Sequence, residues 1–103
     1  MEEPYAAPRT PIEDTIADIW ADVLRLEEVG IHDNFLALGG DSLRATQVLS
    51  RIRTILHADL PLRAFLDAPT VAALAEAVSR AQREQTIQER EQMARIVAEL
   101  EDL

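Results

Sequence analysis

Apolar residues recur at three- and four-residue steps in three separate stretches of this chain, and that spacing commits most of it to helix. In "TPIEDTIADIWADVLRL" the set is Ile12, Ile16, Ile19, Trp20, Val23 and Leu24. Thr10 supplies an N-cap, Pro11 suits the first helical position, and Glu13 completes a capping box. These signals predict a first helix that buries one face and ends near Arg25 or Leu26. A second stripe, Ala45, Val48, Leu49, Ile52, Ile55 and Leu56, predicts a helix from Asp41 or Ser42 to about Leu56. Pro61 and Pro69 then leave room for only a short helix around Leu62 to Leu66. Thr70 caps a fourth, "VAALAEAVSRA", with Val71, Leu74, Ala75 and Val78 inward. The expected architecture is all-α, a bundle of three main helices and one short one.

A chain of 103 residues suits one domain with a modest core. Residues 1–9, with Pro4 and Pro8, read as a linker, residues 10–81 as the domain, and residues 82–103 as a helical tail or linker. In that tail Met93, Ile96, Val97, Leu100 and Leu103 share one helical face. It either packs back on the bundle or engages a neighbour. The first loop, residues 27–40, is long for so small a domain, and Val29, Ile31, Phe35, Leu36 and Leu38 are available to pin it to the core.

Nineteen acids against ten bases give a net charge of −9, which disfavours binding to phosphate backbones. With no cysteine there are no disulfides and no thiolate metal sites. No apolar run approaches the roughly 20 residues that span a bilayer. "MEEPYAAPRTP" lacks the basic-then-apolar pattern of a signal peptide. A cytoplasmic monomer, binding neither nucleic acid nor membrane, is the expectation.

The chemistry concentrates in "LALGGDSLRAT", residues 37–47. Gly40-Asp41-Ser42-Leu43 spells the nucleophile motif of a hydrolase family named for those residues, but such enzymes need a histidine base, usually three residues after an aspartate. His32 and His57, the chain's two histidines, both lack that aspartate. Two isolated histidines also give no metal-ligand spacing. Asp41 instead reads as an N-cap with Ser42 in the first turn. Gly39-Gly40 gives the backbone freedom and clears space beside the serine for a bulky group. On a helical wheel Leu43 falls opposite the apolar stripe, with Gln47, Ser50 and Thr54, so a leucine beside the serine faces solvent. Helix N-termini favour phosphate, which makes Ser42 a suitable bearer of a phosphodiester attached by another enzyme.

Three segments resemble the peptidyl carrier (thiolation) domains of nonribosomal peptide synthetases, within the acyl-carrier-like superfamily. "VGIHDNFLALGGDSLRATQVLSRIR" resembles their central signature, "LPLRAFLDAPTVAALAEAV" their third and fourth helices, and "IADIWADVL" their first. The resemblance spans residues 10–81. It implies a four-helix acyl-carrier-like bundle and 4′-phosphopantetheine, taken from coenzyme A and attached to Ser42 beside Gly40, Asp41 and Leu43. It also implies three kinds of partner: a phosphopantetheinyl transferase, an adenylation domain that charges the arm as a thioester, and condensation or other tailoring and release domains. The chain itself would be a carrier without catalysis. Candidate partner contacts are Leu43, Thr46 and Gln47, with Phe35 and Leu38 in the preceding loop. Leu36 stands where the family often has a second aromatic and is expected as a core change. Arg44 stands where an apolar residue is usual and is expected to alter partner preference. A polyketide acyl carrier and a docking module dominated by the tail are the alternatives.

Overall fold

The computed structural model describes residues 5–103, so the first four residues of the expected linker lie outside the described residues. Helix α1 spans Pro11–Leu24, α2 Ser42–Leu56, α3 Leu62–Asp67 and α4 Val71–Glu101. All four expected helices are present, in the expected order.

Local chemistry sets their ends. Thr10 Oγ1 accepts from the Glu13 N–H at 3.1 Å and starts α1. Arg25, in the left-handed conformation (φ 58°), ends it. The capping box is not reciprocal as expected. The Glu13 carboxylate reaches past Thr10 to the Arg9 N–H (2.8 Å) and the Arg9 guanidinium (2.8 Å). Glu13 is buried, so the ion pair fastens the N-terminal segment to α1. Hydrogen bonds from the Arg9 side chain hold the Glu13 carboxyl below its ordinary value, against the opposing effect of burial. At the far end of α2, His57 takes the left-handed cap (φ 54°). Thr70 Oγ1 caps α4 by accepting from Ala73 N–H at 3.2 Å.

The core is built on three rings. Trp20 from α1, Phe35 from the first loop and Phe65 from α3 are each buried, with centroids 4.9 Å (Trp20–Phe35), 5.7 Å (Trp20–Phe65) and 4.8 Å (Phe35–Phe65) apart. Ile16, Ile19, Val48, Ile52, Val71, Leu74 and Val78 close around them. The indole N–H of Trp20 is buried with no hydrogen-bond partner among the described residues. Ile55 departs from the expected stripe and is exposed. It lies at the edge of the arc set by Ala45, Val48 and Ile52, beyond the reach of α1 and α3.

The first loop is stitched down rather than loose. Val29, Ile31 and Phe35 are buried. Ile31 N–H donates to Ala6 O, Ala72 N–H donates to Ile31 O, and Phe35 N–H donates to Pro69 O, at 3.0, 3.0 and 2.8 Å. Leu36, expected in the core, is 50% exposed. Asn34 Oδ1 accepts from the N–H groups of Leu36 and Ala37, closing a turn that sends Phe35 inward and its neighbour outward.

Helix α4 contains both the last helix of the bundle and the tail. It runs unbroken for 31 residues through the supposed junction at 81–82. Gln82 Nε2 still donates to Leu56 O at 2.8 Å, and from Arg83 onward every residue is exposed. The tail therefore does not fold back. It projects from the bundle as one helix, giving principal extents of 67 × 27 × 21 Å. The radius of gyration is 17.1 Å, against about 13 Å for a compact domain of about 100 residues.

Candidate functional site: the junction at Ser42

The signature is a join between two helical turns. Residues 35–38 make a single turn, and Gly39 ends it in the left-handed region with φ 98°. Gly40 N–H donates to Phe35 O at 3.0 Å and Gly39 N–H to Leu36 O at 3.2 Å. Those two bonds are the 6→1 and 5→2 pair of a Schellman termination. Asp41 then opens α2 at once, its Oδ1 accepting from Arg44 N–H at 2.8 Å.

This geometry revises the role of the glycines. Gly39 is required by its positive φ. Gly40 does not clear room beside the serine: a Cβ there would stand 2.3 Å from two ring carbons of Phe35 and 2.7 Å from its carbonyl oxygen. Its missing side chain lets the core ring lie against the backbone, so Gly40 fixes the junction. Phe35 is corrected with it. A completely buried ring cannot meet a partner protein, and its place in the aromatic cluster is its function.

Ser42 follows as the first residue of α2 and is exposed. Its carbonyl accepts from Thr46 Oγ1 at 2.9 Å, while its hydroxyl enters no hydrogen bond among the described residues. Both histidines are exposed, and His57 sits at the opposite end of α2. No group of metal-binding side chains occurs among the described residues. A serine with no base cannot act as its own nucleophile. It stands instead where an added phosphodiester meets the free N–H groups and positive end of a helix. The Asp41 charge that would oppose such an anion is met by Arg44, whose guanidinium is 3.6 Å from Asp41 Oδ2. The same guanidinium donates to Gly39 O at 3.0 Å, so Arg44 braces the junction as well as flanking it. The residues present therefore fit 4′-phosphopantetheine.

Around the serine lies an apolar and polar rim. Leu43 is 69% exposed, as its wheel position required, and Thr46 and Gln47 are exposed along the same helix. Leu38 is only half-buried and packs partly on the core. The residue that sequence reasoning missed is Leu36, which joins the solvent-facing apolar set on the loop side. The signal was the Asn34 turn, in which consecutive Phe35 and Leu36 cannot both point inward.

Comparison with known proteins agrees with this geometry. Residues 14–78 match the family described as the phosphopantetheine attachment site. The chain belongs to that family. One of the linear gramicidin synthase proteins of Brevibacillus parabrevis is 54% identical over 72 residues, covering 70% of this chain and 1% of that protein. Surfactin synthase subunit 3 of Bacillus subtilis is 46% identical over 74 residues, covering 72% of this chain and 6% of that protein. The carrier domain thus spans a small fraction of the length of these relatives. Its fold matches the complex of the phosphopantetheine transferase Sfp with coenzyme A and a peptidyl carrier protein (TM-score 0.72, 37% identity, 74% of this chain and 99% of that one). A second match is a chain of the extended docking domain complex PaxA T1-CDD/PaxB NDD of the Pax NRPS. There the TM-score is 0.77 and the identity 34%, over 90% of this chain and 93% of that one. The family consists of carriers without catalysis, and its prosthetic group is 4′-phosphopantetheine from coenzyme A.

Proposed function

We propose that this chain is a peptidyl carrier domain that holds an aminoacyl or peptidyl group on a 4′-phosphopantetheine arm attached to Ser42. The observation that carries this reading is the exposed, unengaged Ser42 hydroxyl at the start of α2, set beyond a rigid junction and without a base of its own. When bound, the arm supplies a thiol for thioester formation and the reach to visit several active sites. The chain's residues hold that hydroxyl open, offer helix N–H groups to the phosphate, and present Leu36, Leu43, Thr46 and Gln47 to visiting enzymes. The Ser42 oxygen would bond to the pantetheine-bearing phosphorus of coenzyme A as the pyrophosphate P–O bond breaks and adenosine 3′,5′-bisphosphate leaves, its proton passing to a base on the phosphopantetheinyl transferase.

The partners of this reading are that transferase, an adenylation domain, and condensation or release domains. Their turnover demands weak, exchangeable contacts, which a small rim of exposed side chains suits. Relatives named as gramicidin and surfactin synthases support the peptidyl class over a polyketide acyl carrier. No helix among the described residues is long and apolar enough to cross a membrane, and we place the domain in the cytoplasm. The likeness to the PaxA T1-CDD/PaxB NDD complex, extending over 90% of the chain, supports a further part for the tail: connection to another synthetase protein.

The test is intact mass after incubation with coenzyme A and a broad-specificity transferase. Wild type gains one pantetheine adduct and Ser42→Ala gains none. A wild type that stays unmodified refutes the proposal. Loading of the resulting arm by amino-acid adenylation domains, and not by polyketide acyltransferases, separates the two carrier classes.

A further inference from the structure

The cap that starts α2 and the anchor beside it are in electrostatic conflict. Asp41 Oδ1 accepts from Arg44 N–H at 2.8 Å, and that bond fixes the carboxylate at the head of the helix. Ser42 is the next residue. A phosphate that reaches its hydroxyl therefore meets a full negative charge one residue away, and the helix end offers only about half a positive charge against it. The chain as a whole gives no relief, since its net charge is −9.

Arg44 is the cation placed to resolve this conflict. The charged residues of α2 are Arg44, Arg51 and Arg53. Arg51 is paired with Asp22 of α1, and Arg51 and Arg53 lie about 14 and 17 Å along the helix from Ser42. Arg44 alone of the three lies in the first turn. Helical side chains lean toward the N-terminus, and this one reaches back across the junction. Its Nη1 donates to Gly39 O at 3.0 Å and stands 3.6 Å from Asp41 Oδ2. The first contact is an anchor, because Gly39 is itself locked in the left-handed turn. The second is an ion pair too long for a hydrogen bond, so it offsets the Asp41 charge without drawing the carboxylate off its cap.

We infer that Arg44 is a positioning residue for phosphopantetheine attachment, acting through Asp41: it cancels the charge that the cap sets beside the incoming phosphate. This rests on the carrier reading and adds to it the residue that makes a capped helix start compatible with a phosphodiester. The importance of Arg44 follows the charge on Asp41. With that charge present, loss of Arg44 exposes the phosphate to it. With that charge gone, Arg44 has nothing to cancel. A role confined to bracing Gly39 O would not depend on the Asp41 charge at all. The Arg44 and Asp41 side chains are 48% and 58% exposed, so water screens the pair and the effect on loading is about three- to fivefold at low salt.

The experiment is a double-mutant cycle on the full chain, loaded from coenzyme A by a broad-specificity transferase at low salt. Asparagine keeps the cap oxygen and removes the charge, so Asp41→Asn isolates the electrostatic part. Arg44→Gln should lower kcat/KM for loading by about three- to fivefold, and Arg44→Lys by less than about twofold. In the Asp41→Asn background, Arg44→Gln should change loading by less than about twofold, as it should with Asp41 present at about 0.5 M salt. The loaded chains give a second readout. The phosphorus NMR resonance of the phosphodiester should move on Arg44→Gln with Asp41 present and stay in place in the Asp41→Asn background. Fluorescence of Trp20 checks that each variant is folded. An equal loss in both backgrounds, a loss indifferent to salt, a loss with Arg44→Lys as large as with Arg44→Gln, or no loss at all overturns the proposal. Failure of wild type to load would instead refute the carrier reading.

Discussion

Replacing Gly40 by alanine tests whether the junction is fixed by the core ring. The added Cβ would sit 2.3 Å from Phe35 Cδ2 and Cε2. The ring cannot swing away, because Trp20 and Phe65 hold it at 4.9 and 4.8 Å. Overpacking of this kind costs about 1–3 kcal/mol, and this contact is far inside van der Waals range, so the upper end applies. Loss of glycine's freedom in the unfolded chain offsets about 0.4–1 kcal/mol of that. A net destabilisation of about 2 kcal/mol follows, and a domain of this size loses about 4–8 °C of Tm per kcal/mol. The assay is urea or thermal unfolding followed by the fluorescence of Trp20, the chain's single and fully buried tryptophan. Gly39→Ala provides the contrast, since its Cβ meets nothing within 4 Å and only the left-handed backbone is penalised, by about 1–2 kcal/mol. Gly40→Ala unfolding within about 0.5 kcal/mol of wild type would refute the packing argument.

Ser42→Ala, at an exposed first-turn position, should leave stability within about 0.5 kcal/mol of wild type, so its failure to load cannot be laid to misfolding. Asp41→Ala removes the cap on Arg44 N–H and should cost about 1 kcal/mol by denaturant midpoint. Leu43→Ala and Leu36→Ala should slow transfer to adenylation and condensation partners while leaving Tm nearly unchanged, because both side chains are solvent-facing. Glu13 is held below its ordinary 4.5 in the folded chain by Arg9, so on acidification the unfolded chain takes up the proton first. Its stabilisation is present at neutral pH and lost as pH falls below about 4.5 toward the lowered value; Glu13→Gln should flatten that part of the pH–stability curve.

Helix positions were legible because capping residues and prolines are local signals: Thr10, Asp41 and Thr70 each cap as expected. Leu43 was legible too, since a helical wheel fixes direction from spacing alone. What escaped were facts set by side-chain geometry that neither periodicity nor capping patterns encode. Gly40 owes its identity to a ring that Trp20 and Phe65 pin, and no local pattern records that contact. Phe35 pins the loop to the core, one of the two roles expected of it, while Leu36 leaves the core for solvent, because an Asn34 turn, not a periodic element, orients them. Arg9 outcompeted Thr10 for Glu13 through a side chain whose reach the capping pattern does not encode. Within α4 the helix itself continues past residue 81, and only the packing stops, after Gln82.

The most direct measurement is fragmentation mass spectrometry of the pantetheine-loaded chain, which assigns the adduct to a residue. Of the three serines, Ser42, Ser50 and Ser79, the modification should map to Ser42 alone. An adduct on Ser50, Ser79 or any other residue would contradict the claim that the α2 junction presents the anchor.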